Sequence, residues 1–225
     1  MKKVFSSIVL LLVLSLANAF AQNKTASQSG AATQQKPLVP VSYGVVVDNS
    51  GSFRMILDRV VEITKDIVEE NKANDETFLV RFVSTDIIQI LQDFTASKDA
   101  IHEAADEMFA EAGLTAILDA VDFAARHLNE KASSEAAAGG GNRRKALILL
   151  TDGDERQSKT KMEDVLKFLK DNQIQVFVVA ISDEKVSMKI IDRLTRETGG
   201  RKFVPKTRAE VPAMIKELST AIRAQ

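Results

Sequence analysis

Two hydrophobic rhythms alternate along this chain. From Ser42 to Val47 a run rich in β-branched residues reads as a strand, which stops at Asp48, where Asn49, Ser50 and Gly51 favour a turn. Within 54–71, Ile56, Val60, Ile63 and Ile67 fall at helical spacing, so one face of a helix is buried. Strands follow at 77–83 and 86–91. Only Ser84-Thr85 separates them, which permits a hairpin but not a parallel crossover. A helix is expected over 97–110 with Ser97 as its cap, then a second with Ile117, Val121, Ala124 and Leu128 on one side. Residues 131–144 interrupt the pattern with Ser133-Ser134, Gly139-Gly140-Gly141 and Arg143-Arg144, and are expected to form a flexible loop. The continuous apolar run 146–150 reads as a strand buried on both faces. A helix over 161–171, a strand over 174–181 and a helix over 187–198 come next, the last closed by Gly199-Gly200. A short strand over 202–204 and a final helix, with Val211, Ile215, Leu218 and Ile222 on one face, complete the pattern.

Strands alternating with helices imply an α/β fold: a doubly wound, mostly parallel six-stranded sheet with one antiparallel edge strand and helices on both faces. Right-handed crossovers leave a crevice beyond the carboxyl ends of the strands, where the winding direction reverses. If the first strand is the pivot and the 146–150 strand its other neighbour, Asp48 and Asp152 end side by side there. The Gly113-Leu114-Thr115 turn must reach the same rim, because its helix runs down before the 146–150 strand climbs back.

Composition narrows the function. At 225 residues there is room for one sizeable domain and a leader. Residues 1–21 read as a secretory signal peptide: Lys2-Lys3 lead an apolar run from Ile8 to Leu16, then small residues suited to cleavage before Gln22 or before Phe20. That run is too short for a span of about 20 residues, and no later stretch could cross a bilayer. Residues 22–40, poor in large apolar residues, are expected to be a disordered polar arm, and 41–225 the folded domain. The chain is therefore expected to be exported, to a periplasm or outside the cell. Its formal charge is -1, and the leader's two lysines would lower it to -3, so no basic excess points to nucleic acid. With no cysteine there is no disulfide and no thiolate metal site.

The chemistry gathers at Asp48-x-Ser50-x-Ser52. One carboxylate and two hydroxyls sit on a tight strand-to-helix turn, a donor set suited to a small hard cation. Alone the pattern is weak, since Asp48 and Ser50 could simply cap a helix. His102 and His127 read as surface or packing residues, and Phe53, Phe78, Phe82, Phe123, Phe168 and Phe177 as core.

With Thr115 and the Thr151-Asp152-Gly153 turn added in order and spacing, residues 42–223 resemble the von Willebrand factor type A domains. The leader, polar arm and lone domain are similar to secreted bacterial members. The resemblance implies a metal-ion-dependent adhesion site with Asp48, Ser50, Ser52, Thr115 and Asp152 as ligands, directly or through water. It implies Mg²⁺, with Mn²⁺ or Ca²⁺ as alternatives, and an open position for the Asp or Glu carboxylate of a partner protein. Asp154 and Glu155 read as rim groups rather than ligands. The expected function is noncatalytic, metal-dependent protein binding, with oligomeric state left open. The alternatives are a metal-dependent hydrolase or phosphatase-like enzyme and a structural domain without metal. No Gly-x-Ser-x-Gly elbow or phosphate loop supports an enzyme, and a phosphatase of the Asp-x-Asp type would need an acid where Ser50 stands.

Overall fold

Strand β1 (Val41–Asp48) forms the middle of the sheet, and every one of its residues is buried. It pairs in parallel with β2 (Glu76–Ser84) on one side and β4 (Arg144–Thr151) on the other. Beyond β4 lie β5 (Ile174–Ala180) and the short β6 (Lys202–Phe203), both parallel; beyond β2 lies β3 (Ile87–Thr95), the antiparallel edge. The order β3-β2-β1-β4-β5-β6 makes β1 the pivot and puts the reversal of winding between β1 and β4. The computed structural model describes residues 39–139, 141–183 and 186–224, so the leader and nearly all of the arm lie outside the described residues.

The period-two pattern of β1 divides the core. Val41, Tyr43, Val45 and Val47 pack with α1 (Leu57–Glu69), α2 (Lys98–Asp106) and α6 (Val211–Arg223). Val46 points the other way, into the cluster formed with α3 (Ile117–Ala137), α4 (Met162–Asp171) and α5 (Met188–Thr198). Gly44 shares that second face, where a Cβ would meet the Phe78 ring at 2.2 Å; the glycine makes room for a large core side chain. The expected six-stranded α/β sheet with helices on both faces is the one observed.

Three local expectations need correction. The flexible loop expected over 131–144 is largely helix: α3 continues to Ala137. Its last turns are alanine-rich, carry an i,i+4 pair between Lys131 and Glu135 at 3.2 Å, and end only where Gly139 takes a φ of 80°. The helix expected over 97–110 stops at Asp106, and the chain then turns toward the carboxyl end of β1. There Glu111 N donates to the Asn49 carbonyl at 2.9 Å and Asn49 Nδ2 donates to the Phe109 carbonyl at 3.1 Å, tertiary bonds that outcompete local helix. Two of the expected core phenylalanines are not buried: Phe123 is 37% exposed, and Phe168 is half-buried with the Arg126 guanidinium 4.5 Å from its ring centroid. His127 packs against Phe78 and Phe94 at the β3 edge.

Candidate metal centre

Asp48 is the last residue of β1, and its side chain is fully buried. The turn after it makes the chain fold back on that carboxylate: Ser50 N donates to Oδ1 at 3.0 Å, and Thr151 Oγ1, from the end of β4, donates to Oδ2 at 3.0 Å. A 3-10 turn over Gly51–Phe53 then brings the Ser50 and Ser52 hydroxyls within 3.2 Å of each other, Ser50 buried and Ser52 exposed. The donor atoms thus run from a buried carboxylate outward to a solvent-facing hydroxyl.

Asp152 arrives from the neighbouring strand and is 7% exposed. Its Oδ1 accepts from Asp154 N at 3.0 Å, and its carbonyl accepts from Ser187 N at 2.7 Å. The next residue has to be glycine. Gly153 has a φ of 81°, and a Cβ there would lie 2.0 Å from the Ser187 carbonyl oxygen. Thr115 is buried on the third segment, with its carbonyl accepting from Arg156 N at 2.9 Å and Gln157 N at 3.1 Å. Asp48, Ser50 and Ser52 are therefore gathered on one turn, Asp152 stands beside them at the end of β4, and Thr115 is tied through its backbone to the Asp152 loop.

Burial pushes the Asp48 carboxyl up to about 7; hydrogen bonds from Ser50 and Thr151 oppose the shift, and the nearby Asp152 charge adds to it. Among the described residues no Lys, Arg or His forms an ion pair with Asp48 or Asp152. Nor do three or more acidic, histidine or cysteine side chains converge in metal-binding geometry among them. A cation here would depend on two carboxylates plus hydroxyls. That all-oxygen set, without imidazole or thiolate, fits a hard divalent ion and does not suit a soft one.

Glu155, expected as a rim group, also holds the site together, and Asp119 and Arg81 do so without any expectation from the sequence. The Glu155 carboxylate accepts from Leu118 N at 3.0 Å, Gln157 N at 3.0 Å and Ser158 N and Oγ at 2.8 Å each, so it caps α3 from across the crevice. Asp119 accepts from Thr85 Oγ1, Lys159 N and Thr160 N; burial opposes its ionisation, but these bonds outweigh it and hold the carboxyl below its ordinary range. Arg81, in β2, is 5% exposed; it pairs with Glu111 at 2.7 Å and lies 4.4 Å from the Phe109 ring centroid. A lone arginine inside an apolar strand was the available signal for that anchor. A cavity of about 910 Å³ lies away from these donors, at the opposite end of the sheet, where Asn129, Lys145 and Gln173 are among its walls.

The model of the von Willebrand factor type A domain matches residues 44–217. No curated protein matches the sequence significantly. Among solved structures, the chain is similar to an aerotolerance-related membrane protein from Bacteroides fragilis, crystallised with multiple mutations to serines. The TM-score is 0.66 at 15% identity, over 82% of this chain and 100% of that one. A von Willebrand factor type A protein from Catenulispora acidiphila gives 0.67 at 18% identity, over 82% of this chain and 43% of the other. The pilus adhesin SpaC from Lactobacillus rhamnosus GG, in an open conformation, gives 0.62 at 16% identity, over 84% and 30%. At these identities the likeness speaks for the fold alone. No helix among the described residues is long and apolar enough to cross a membrane.

Proposed function

The chain belongs to the von Willebrand factor type A family, and we propose that it is an exported, noncatalytic protein-binding module that captures an acidic side chain of its partner through a divalent cation. Domains of this family generally mediate protein interactions. One observation carries the metal reading: two neighbouring buried carboxylates, Asp48 and Asp152, form no ion pair among the described residues, Arg156 being paired with Asp154 instead, and serine hydroxyls border them. Burying an unpaired charge is costly, and a divalent ion is the counter-charge that an oxygen-lined turn can take up. Asp48, Ser50, Ser52, Thr115 and Asp152 would hold Mg²⁺, or Mn²⁺ or Ca²⁺ in its place, directly or through water. The ion would supply a Lewis-acidic position for the incoming carboxylate. Asp48 sets the floor of the site, the Ser50–Ser52 turn its wall, and Glu155 holds the loop that carries Asp152 against Thr115.

Isothermal titration of the chain with Mg²⁺ tests the reading. Saturable one-to-one binding is expected, with loss of binding in Asp152→Ala. Binding that survives in that variant would place the ion elsewhere. A phosphatase and esterase screen with Mg²⁺ separates the noncatalytic reading from the hydrolase alternative, and turnover would overturn it. Export rests on the leader alone, and signal-peptide cleavage in cells is its direct check.

A further inference from the structure

Five large apolar side chains stand more than a third exposed among the described residues: Met55 at 86%, Phe109 at 53%, Leu114 at 50%, Val204 and Phe123. The first three belong to the two segments that carry Ser52 and Thr115. Met55 lies three residues beyond Ser52, and Leu114 immediately precedes Thr115. Phe109 is joined to the Asp48 turn through its carbonyl, which accepts from Asn49 Nδ2. Nor is Phe109 loosely placed, because the buried Arg81 guanidinium stacks on its ring. A single exposed apolar residue needs no explanation, but three of five around one oxygen-lined site mark a contact surface.

The charges around that surface are uneven. Glu111 is engaged by Arg81 at 2.7 Å and Asp154 by Arg156 at 2.5 Å, while the Glu155 carboxylate is taken up by backbone N–H groups. Arg54, exposed beside Met55, makes no ion pair among the described residues. Among the described residues the rim therefore offers the Arg54 guanidinium without an ion pair and three apolar side chains, while its carboxylates at 111, 154 and 155 are already occupied. Such a surface complements an acid set among apolar neighbours, not a strongly basic or uniformly acidic partner.

We propose that the rim docks a protein segment in which the coordinating Asp or Glu is flanked by large apolar side chains, which pack on Met55, Phe109 and Leu114. The proposal rests on the metal-centre reading and adds the sequence character of the partner. A few well-packed side chains near the centre of a contact carry most of its binding strength.

The test selects phage-displayed random peptides on the immobilised chain in Mg²⁺ and elutes them with chelator. Chelator-eluted peptides should share an Asp or Glu with a large apolar residue within two positions. The triple variant Met55→Ser, Phe109→Ser, Leu114→Ser should bind them at least tenfold more weakly, with Mg²⁺ affinity by calorimetry unchanged within twofold. Since Phe109 contacts Arg81, the double variant Met55→Ser, Leu114→Ser is run beside it and should lose at least threefold. Failure of the unmutated chain to bind Mg²⁺ would overturn the metal centre itself. Normal Mg²⁺ binding with no chelator-eluted peptides, or with acids in purely polar contexts, or with full binding by both variants, would overturn the apolar rim alone. Mg²⁺-dependent self-association in light scattering would show a second copy as the occupant and overturn the proposed partner.

Discussion

Near the amino end of β1, Asp75 is 3% exposed and accepts from Val41 N at 2.9 Å and Lys72 N at 2.8 Å; the Arg223 guanidinium from α6 closes on its second oxygen. At the carboxyl end, Asp48 is more deeply buried and also takes two hydrogen bonds, yet no cation from the described chain approaches it. The difference separates a fastening from a site. Where the fold only has to hold its last helix against its first strand, it supplies the counter-charge itself. At the crevice it leaves two acids beside hydroxyls with no ion pair among the described residues, the arrangement that the proposed cation would balance. A buried pair is worth little net, but a buried charge left without its partner is expensive, so the two ends should respond to opposite manipulations.

The largest expected effect is the pH response of the metal-free protein. Asp48 is raised from 3.8 to about 7, so its folded state prefers the protonated form. That contribution is fully present below pH 4 and is lost as pH rises to 7. At 1.36 kcal/mol per unit it amounts to roughly 4 kcal/mol. Asp48→Asn should flatten the slope, as read from urea unfolding in metal-free buffer between pH 5 and 8. Equal slopes in variant and parent would mean that Asp48 is not the group that titrates. At the other end, Arg223→Ala strands Asp75 without its cation and should cost about 3 kcal/mol at neutral pH, with Mg²⁺ affinity unchanged. If urea unfolding moved by less than 1 kcal/mol, the view of this pair as a fastening would fail.

The contrast was only half legible in the sequence. Asp48-x-Ser50-x-Ser52 and Thr151-Asp152-Gly153 stood out because turn residues interrupt strong apolar runs, and strand order then put them together. Asp75 and Arg223 are 148 residues apart, in ordinary polar surroundings, and nothing local joins them. The same limit hid the capping role of Glu155, which depends on where the α3 terminus lies, and shortened α2, which yields to hydrogen bonds made with Asn49. The overextended loop at 131–144 had a different cause. Serine and glycine read as breakers in the sequence, whereas alanine and an i,i+4 ion pair keep the chain helical to Ala137. Periodicity reports burial faces well; it is silent on bonds between distant segments.

Mg²⁺ should sharpen the comparison from the opposite side. At about 100 times its dissociation constant, an ion that binds only the folded state adds about 2.7 kcal/mol. Asp152→Ala should abolish that gain in thermal melts while leaving the metal-free protein folded and no less stable, because it relieves repulsion on Asp48. A retained metal-dependent shift would contradict the pairing of the two acids.

The smallest effects separate holding the site from binding at it. Glu155→Ala removes the acceptor for Leu118, Gln157 and Ser158, although Ser158 Oγ still accepts from Leu118 N at 3.0 Å, so stability should fall by about 1–2 kcal/mol with or without Mg²⁺. Thr115→Ala leaves the contacts of the Thr115 carbonyl with Arg156 and Gln157 in place and deletes only a hydroxyl. Metal-free stability should therefore change by no more than about 0.5 kcal/mol. The hydroxyl matters only if it takes part in holding the ion, so the Mg²⁺-dependent gain should shrink in Thr115→Ala and persist in Glu155→Ala. Thermal melts of both variants with and without Mg²⁺ read the two outcomes. An unchanged metal response in Thr115→Ala would remove Thr115 from the site and leave it as a strut between loops.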